Sequence, residues 1–196
     1  MLVPLIFMEL FMIILNTFMT KRAIILHGTG GSPDVCWYKW VGNNLTQRGF
    51  HVEIPYYPTI NTEPLTTFLP KVLSAHVFDE NTVIIGHSAG ATLLLSILEQ
   101  SKHVIPQAFF IAGYATKPNT SEEPILQNNY DWEEIKSHVK DAYFINSIND
   151  PYGCDDKQGR MMFEKLGGTQ IILNEGHFGS ENQDYPTFEL LSKLIN

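Results

Sequence analysis

From Thr20 to the C-terminus, six short apolar runs alternate with amphipathic stretches, and few folds accommodate that order. The runs are RAIIL (22–26), HVEI (51–54), TVIIG (82–86), QAFFIA (107–112), AYFIN (142–146) and TQIIL (169–173). Several are apolar on consecutive residues, as strands buried on both faces must be. The intervening helices are expected over 37–47, 64–77, 89–100, 131–139, 156–166 and 185–195. Strand–helix alternation predicts an α/β fold with a mainly parallel sheet. The polar stretch 114–130, with two prolines, reads as a loop.

With 196 residues, 44% of them hydrophobic and 17% charged, the chain can bury a real core. Residues 20–196 are expected to form a single domain. The formal net charge of −8 is a poor match for phosphate backbones, so nucleic-acid partners are not expected. Cys36 and Cys154 belong to no CxxC pair, which points away from zinc ribbons and thioredoxin-like motifs and toward reduced thiols in a cytoplasmic protein. No HExxH and no histidine pair at ligand spacing is present, so neither a metal nor an organic cofactor is expected.

Residues 1–19 form an apolar extension, interrupted by Pro4, Glu9 and Asn16. Three readings apply to it. Met19 could be the biological start, the segment could anchor the chain in a membrane with Lys21 and Arg22 on the cytoplasmic side, or it could pack on the domain as a helix. The chemistry below needs none of them.

That chemistry centres on GHSAG, Gly86 to Gly90. The pattern G-x-S-x-G is short, but here it directly follows an apolar strand and precedes the helix ATLLLSILEQ. In that setting Ser88 would occupy a strained strand-to-helix turn, its hydroxyl above the sheet edge and helix N–H groups beside it. The alternative is a serine that merely caps the helix.

A nucleophilic serine needs a base oriented by a third group. His177, in the loop GHFG after the last strand, is the candidate base, whereas His103 and His138 lie at helical or helix-end positions. Asp150, opening the loop after the fifth strand, is the candidate acid. Asp155 is the second choice, since it and Asp156 read better as a helix cap and first turn. The loop HGTGGSP after the first strand would carry a second oxyanion donor, the N–H of Thr29, paired with that of Ala89. His27 reads as structural. A phosphate loop is disfavoured because neither GxxxxGK[ST] nor G-x-G-x-x-G spacing occurs there.

Taken together and in order, HGTGGSP with Trp37 and Trp40, GHSAG, SINDP and GHFG resemble the small serine hydrolases of the α/β-hydrolase superfamily, the group of retinoblastoma-binding protein 9 and the YdeN-like bacterial proteins. The resemblance covers nearly all of the chain from Thr20 onward. It implies a compact α/β-hydrolase fold with six strands in the order 2-1-3-4-5-6, helices on both faces and no large lid. It also implies the triad Ser88, Asp150 and His177. Phe68 departs from the pattern, which has a tryptophan in that helix. In this strand order Cys36 and Cys154 follow strands three positions apart, roughly 14 Å at ~4.8 Å per step, too far for a disulfide.

The expected activity is hydrolysis of a small ester or other activated acyl substrate through an acyl-enzyme. Trp37, Tyr114 and Phe178 are candidate pocket-lining residues, drawn from a larger set of aromatics near the active edge that includes Tyr56 and Tyr152. Trp40 reads better as core. The rival reading is a hydrolase-fold module that acts by binding a protein partner.

Overall fold

The computed structural model describes residues 20–180 and 184–196, and the apolar extension 1–19 lies outside them. The strands are β1 (Arg22–Leu26), β2 (His51–Glu53), β3 (Thr82–His87), β4 (Ile105–Ile111), β5 (Val139–Ser147) and β6 (Thr169–Leu173). The helices are α1 (Tyr38–Gln47), α2 (Leu65–Ala75), α3 (Ala89–Glu99), α4 (Trp132–Ser137), α5 (Asp156–Leu166) and α6 (Glu189–Leu194). All six strands run parallel in the order β2-β1-β3-β4-β5-β6, as the sequence suggested.

The central strands carry the core. Every residue of β3 is buried, and Ile24, Ile84, Ala108 and Ala142 stand opposite one another across four neighbouring strands. Two in-register aromatic pairs fasten β4 to β5: Phe109 stacks on Tyr143 at 4.6 Å and Phe110 on Phe144 at 5.0 Å. Between sheet and helices, α3 is buried from Ala89 to Leu98 on all its sides. A helix apolar all round has no solvent face and has to be a core element. Helices cover both faces of the sheet: α1 packs with α6, and α2, α3, α4 and α5 pack in succession.

Several boundaries differ from expectation. The helix expected to reach residue 139 ends at Ser137, and β5 starts at Val139 because Val139 pairs with Ile105 where β4 and β5 begin. The last helix starts at Glu189 rather than near Tyr185, since Pro186 keeps the residue before it out of the helical region. Helix α2 carries Pro70 in its interior. Its ring removes one backbone hydrogen bond, and the carbonyl set free, that of Thr66, is on the exposed side.

This topology positions the site. Parallel strands deliver the loops after β1, β3, β5 and β6 to one edge. Between β1 and β3 the chain turns in opposite directions, outward to β2 from one and to β4 from the other. Open α/β sheets bind ligands in the crevice at such a switch point.

Candidate active site

Ser88 lies at the switch point, between β3 and α3, at φ 55 and ψ −122. A non-glycine residue there is strained, and strain of this kind costs about 1–3 kcal/mol. The neighbouring glycines explain how the turn is accommodated. A Cβ on Gly86 would stand 2.5 Å from the backbone of Ala91, and one on Gly90 would stand 2.6 Å from the carbonyl oxygen of His27. Side chains at either position would push α3 off β1 and β3. Gly28 is restricted for a related reason, because a Cβ there would meet that of Ser88 at 2.9 Å.

The candidate acid and base meet across the loops after β5 and β6. Nδ1 of His177 donates to Oδ2 of Asp150 at 2.7 Å, with the Asp150 side chain fully buried. The other carboxylate oxygen accepts the N–H groups of Tyr152 (2.8 Å) and Cys154 (3.3 Å), which fixes its rotamer. Two further bonds join the loops. The N–H of Gly176 donates to Oδ1 of Asn149 (2.9 Å), and that of Glu175 to Oγ of Ser147 (3.1 Å). Asp155, the alternative acid, caps α5 by accepting from Lys157 and Gln158. His103 and His138 pair with Glu80 and Glu134 on the protein's outside, away from this cluster.

Cys154 was no part of the expected site, yet its sulfur lies within 4.8 Å of ligand atoms on both Asp150 and His177. The Ser88 hydroxyl is within its hydrogen-bonding reach. Burial, then the charges of Asp150, Glu123 and Asp155, push the thiol's pKa up, so it rests as a neutral thiol. Both cysteines are free.

The loop that carries His177 is clamped from below. Trp37 donates its indole N–H to the carbonyl oxygen of Phe178 at 3.0 Å. Nε2 of His87 lies 2.7 Å from the carbonyl oxygen of His177. A carbonyl only accepts, so Nε2 carries the proton, and Nδ1 accepts from the Tyr38 hydroxyl at 2.6 Å. Burial, reinforced by neighbouring His177, lowers the His87 pKa to about 3 and keeps the ring neutral. Phe178 (φ 56), Gly176 (φ 57) and Gly179 (φ 106) let the chain turn tightly enough to meet both clamps.

On the opposite side is the loop after β1. His27 has the structural part expected of it: Nδ1 donates to the carbonyl of Gly28 (2.8 Å) and Nε2 accepts the N–H of Tyr57 (3.0 Å). Burial lowers its pKa. The N–H of Thr29 donates to no described residue, and that of Ala89, at the start of α3, has no partner within its own helix. Thr29 is tethered through its side chain. Asn61 donates to its Oγ1 at 3.0 Å and to Oε2 of Glu123 at 2.6 Å, and accepts the N–H of Ile125 at 3.2 Å. Tyr114 also donates to Glu123. Asn61 and Glu123 were not singled out from sequence. A buried asparagine at φ 63 is the sort of signal that only coordinates reveal.

The aromatic expectation needs correction. Trp37, Tyr114 and Phe178 are 0%, 2% and 0% exposed, so they support the site from within rather than line an open pocket. Phe178 stacks on Phe188 at 5.4 Å, and Trp37 meets Phe188 edge-on at 5.5 Å. Phe68, the departure noted above, is buried against Tyr57 and is likewise a packing residue. Trp40 is half-buried against the core. The accessible aromatics at the site are Tyr152, edge-on to the His177 ring at 4.7 Å, and Tyr56, 5.9 Å from the ring of His27. Two surface depressions, one beside Trp40 and Arg48 and one beside Tyr130 and Trp132, contain none of these groups. Among the described residues, no helix is long and apolar enough to cross a membrane.

A strained serine at a helix start, an imidazole bonded to a buried carboxylate, and a loop N–H that donates to no described residue are the parts of acyl-transfer chemistry. The chain is similar to known proteins in sequence and in fold. Serine hydrolase RBBP9 of Rattus norvegicus is 29% identical over 165 residues, covering 80% of this chain and 87% of that protein. The crystal structure of the ydeN gene product from B. subtilis superposes with a TM-score of 0.81 at 22% identity, covering 89% of this chain and 96% of that one. Est1E from Butyrivibrio proteoclasticus, solved with ferulic acid bound, superposes with a TM-score of 0.62 at 12% identity, covering 88% and 85%. The family profile described as serine hydrolase matches residues 23–195, and the chain belongs to that family.

Proposed function

We propose that the protein hydrolyses a small ester or other activated acyl substrate, carboxylesterase-like, through the triad Ser88, His177 and Asp150. The observation that carries this is the 2.7 Å bond between buried Asp150 and His177, formed beside a serine held at φ 55. Asp150 fixes the proton on Nδ1, leaving the Nε2 lone pair of His177 to act as base. Ser88 Oγ attacks the carbonyl carbon as Nε2 takes its proton. The N–H groups of Thr29 and Ala89 hold the oxyanion, each worth about 3 kcal/mol in systems where one was removed. His177 then protonates the leaving group and the acyl-enzyme forms. Water attacks the ester carbon, gives its proton to His177, and the carboxylic acid departs as Ser88 is regenerated. We read the substrate as a small molecule taken from solution and the enzyme as cytoplasmic, a reading that two free thiols support.

A fluorophosphonate probe tests this directly. The wild type should label. Ser88→Ala should abolish labelling, and Asp150→Asn and His177→Ala should slow it by about 1000-fold or more. Absence of wild-type labelling in folded protein would overturn the proposal and favour a binding role.

A further inference from the structure

We propose that Asp150, Cys154 and His177 form an inhibitory site for a thiophilic divalent cation, of which zinc is the biologically common case. The inference rests on the triad reading above, because the same imidazole would serve as base or as ligand. It concerns a reversible off-state, not a resident cofactor.

Three different donors converge here: a carboxylate oxygen, an imidazole nitrogen and a sulfur, each within 4.8 Å of the others. Zinc binds such donors at about 2.0–2.3 Å, which places ligand atoms of one tetrahedron roughly 3.5 Å apart. Small side-chain rotations would close that gap. The donor set is the mixed N, O, S type that zinc prefers and magnesium does not. The local field agrees. Asp150, Glu123 and Asp155 all lie within electrostatic reach of Cys154, and that negative charge attracts a dication. Of the basic groups nearby, Lys157 is spent on Asp155 and Lys117 on Glu122. Ser88 is half-exposed, so the cluster opens to solvent on that side.

Binding would release one proton, from the Cys154 thiol, as the metal–sulfur bond forms. No electron is transferred. His177 stays neutral and gives a ring lone pair to the metal. Whichever nitrogen ligates, the imidazole is lost as a base for Ser88 or detached from Asp150. The fourth position faces the serine, where water or the Ser88 hydroxyl would complete the tetrahedron.

The test uses the whole chain with two readouts. First, fluorophosphonate labelling is titrated with zinc chloride, then with EDTA. Zinc should block labelling, EDTA should restore it, and magnesium at the same concentration should do nothing. Cys154→Ser and Cys154→Ala, each scored against its own metal-free rate, should need at least about tenfold more zinc. Second, cadmium should give a thiolate charge-transfer band in the wild type and in Cys36→Ser, but not in folded Cys154→Ser. The band does not depend on activity. Unchanged zinc sensitivity in both Cys154 variants, or no cadmium–thiolate band in Cys36→Ser, would overturn the site. Failure of metal-free wild type to label, with the band present, would instead overturn the triad and leave the metal site standing.

Discussion

The ring of His87 reaches over to the carbonyl oxygen of His177, 2.7 Å away, so the residue before the candidate nucleophile holds the backbone of the candidate base. With Tyr38 behind it, His87 makes a hydrogen-bonded column from α1 through β3 to the loop after β6. Replacing it should therefore disturb catalysis without touching substrate. His87→Leu is expected to lower kcat about tenfold to a hundredfold with little change in KM. His87→Gln should recover part of that loss, because its amide can still donate. Steady-state kinetics on a p-nitrophenyl ester would distinguish the two.

The same histidine makes stability depend on pH. Its folded pKa lies near 3, well under the unfolded value of about 6.5, and that of His27 is lowered as well. Above about 6.5 both states leave these rings neutral and neither ring favours unfolding. Below it the unfolded chain takes up protons that the folded chain refuses. For His87 stability should fall by as much as about 1.4 kcal/mol per pH unit, and His27 adds to the loss in the same direction. Urea titrations between pH 7 and 4.5 would measure the slope, and His87→Gln should flatten it.

Asn61 ties Thr29 to Glu123 and Ile125, so it sets where the loop after β1 comes to rest. Asn61→Ala should reduce kcat about tenfold to a hundredfold while the protein remains folded. Binding of a boronic acid that mimics the tetrahedral intermediate should weaken in parallel. A loss in KM alone would mean that Thr29 does not meet the oxyanion.

Trp37→Phe keeps a ring in the buried site but leaves the carbonyl of Phe178 without its donor. An unsatisfied buried acceptor costs about 1–3 kcal/mol. Thermal unfolding should drop by roughly 2–10 °C, and labelling of Ser88 should slow as the loop carrying His177 loosens.

Gly90→Ala should be far more damaging than its size suggests. The added methyl would be driven into the backbone at the end of β1, where His27 O stands 2.6 Å from the Cβ position. The prediction is little or no folded protein in a solubility assay, whereas Gly30→Ala, with open space around it, should give soluble protein.

What the sequence made legible was local. Ser88 could be recognised because the motif is contiguous and its flanks, a buried strand and a buried helix, are themselves readable. His177 and Asp150 were candidates by loop position, and the structure brings the two together. The partners that hold those groups were not legible, because they come from remote segments: His87 and Trp37 meet the His177 loop across 90 and 141 residues. An aromatic near the active edge looks the same in sequence whether it lines a pocket or props it from behind, so the burial of Trp37 and Phe178 had to be seen. Cys154 was read for CxxC pairing and disulfide bonding, and not as a neighbour of the site. The turn that brings its sulfur beside Asp150 is built by backbone N–H groups, which leave no mark in residue identity. Val139 was assigned to a helix because the pairing with Ile105 that makes it a strand belongs to another element.

The stitching of the loops after β5 and β6 has a mechanical consequence. Ser147, Asn149 and Asp150 grip Glu175, Gly176 and His177 in the same order, so acid and base travel as a single body. The serine rides on a second body, the junction of β3 with α3, which the His87 ring ties to the first at the His177 carbonyl. Thermal agitation that leaves the first body whole still changes its distance from the second. Heating is therefore expected to part base from nucleophile where the two bodies share fewest bonds, the His87 contact giving way before the Asp150–His177 bond.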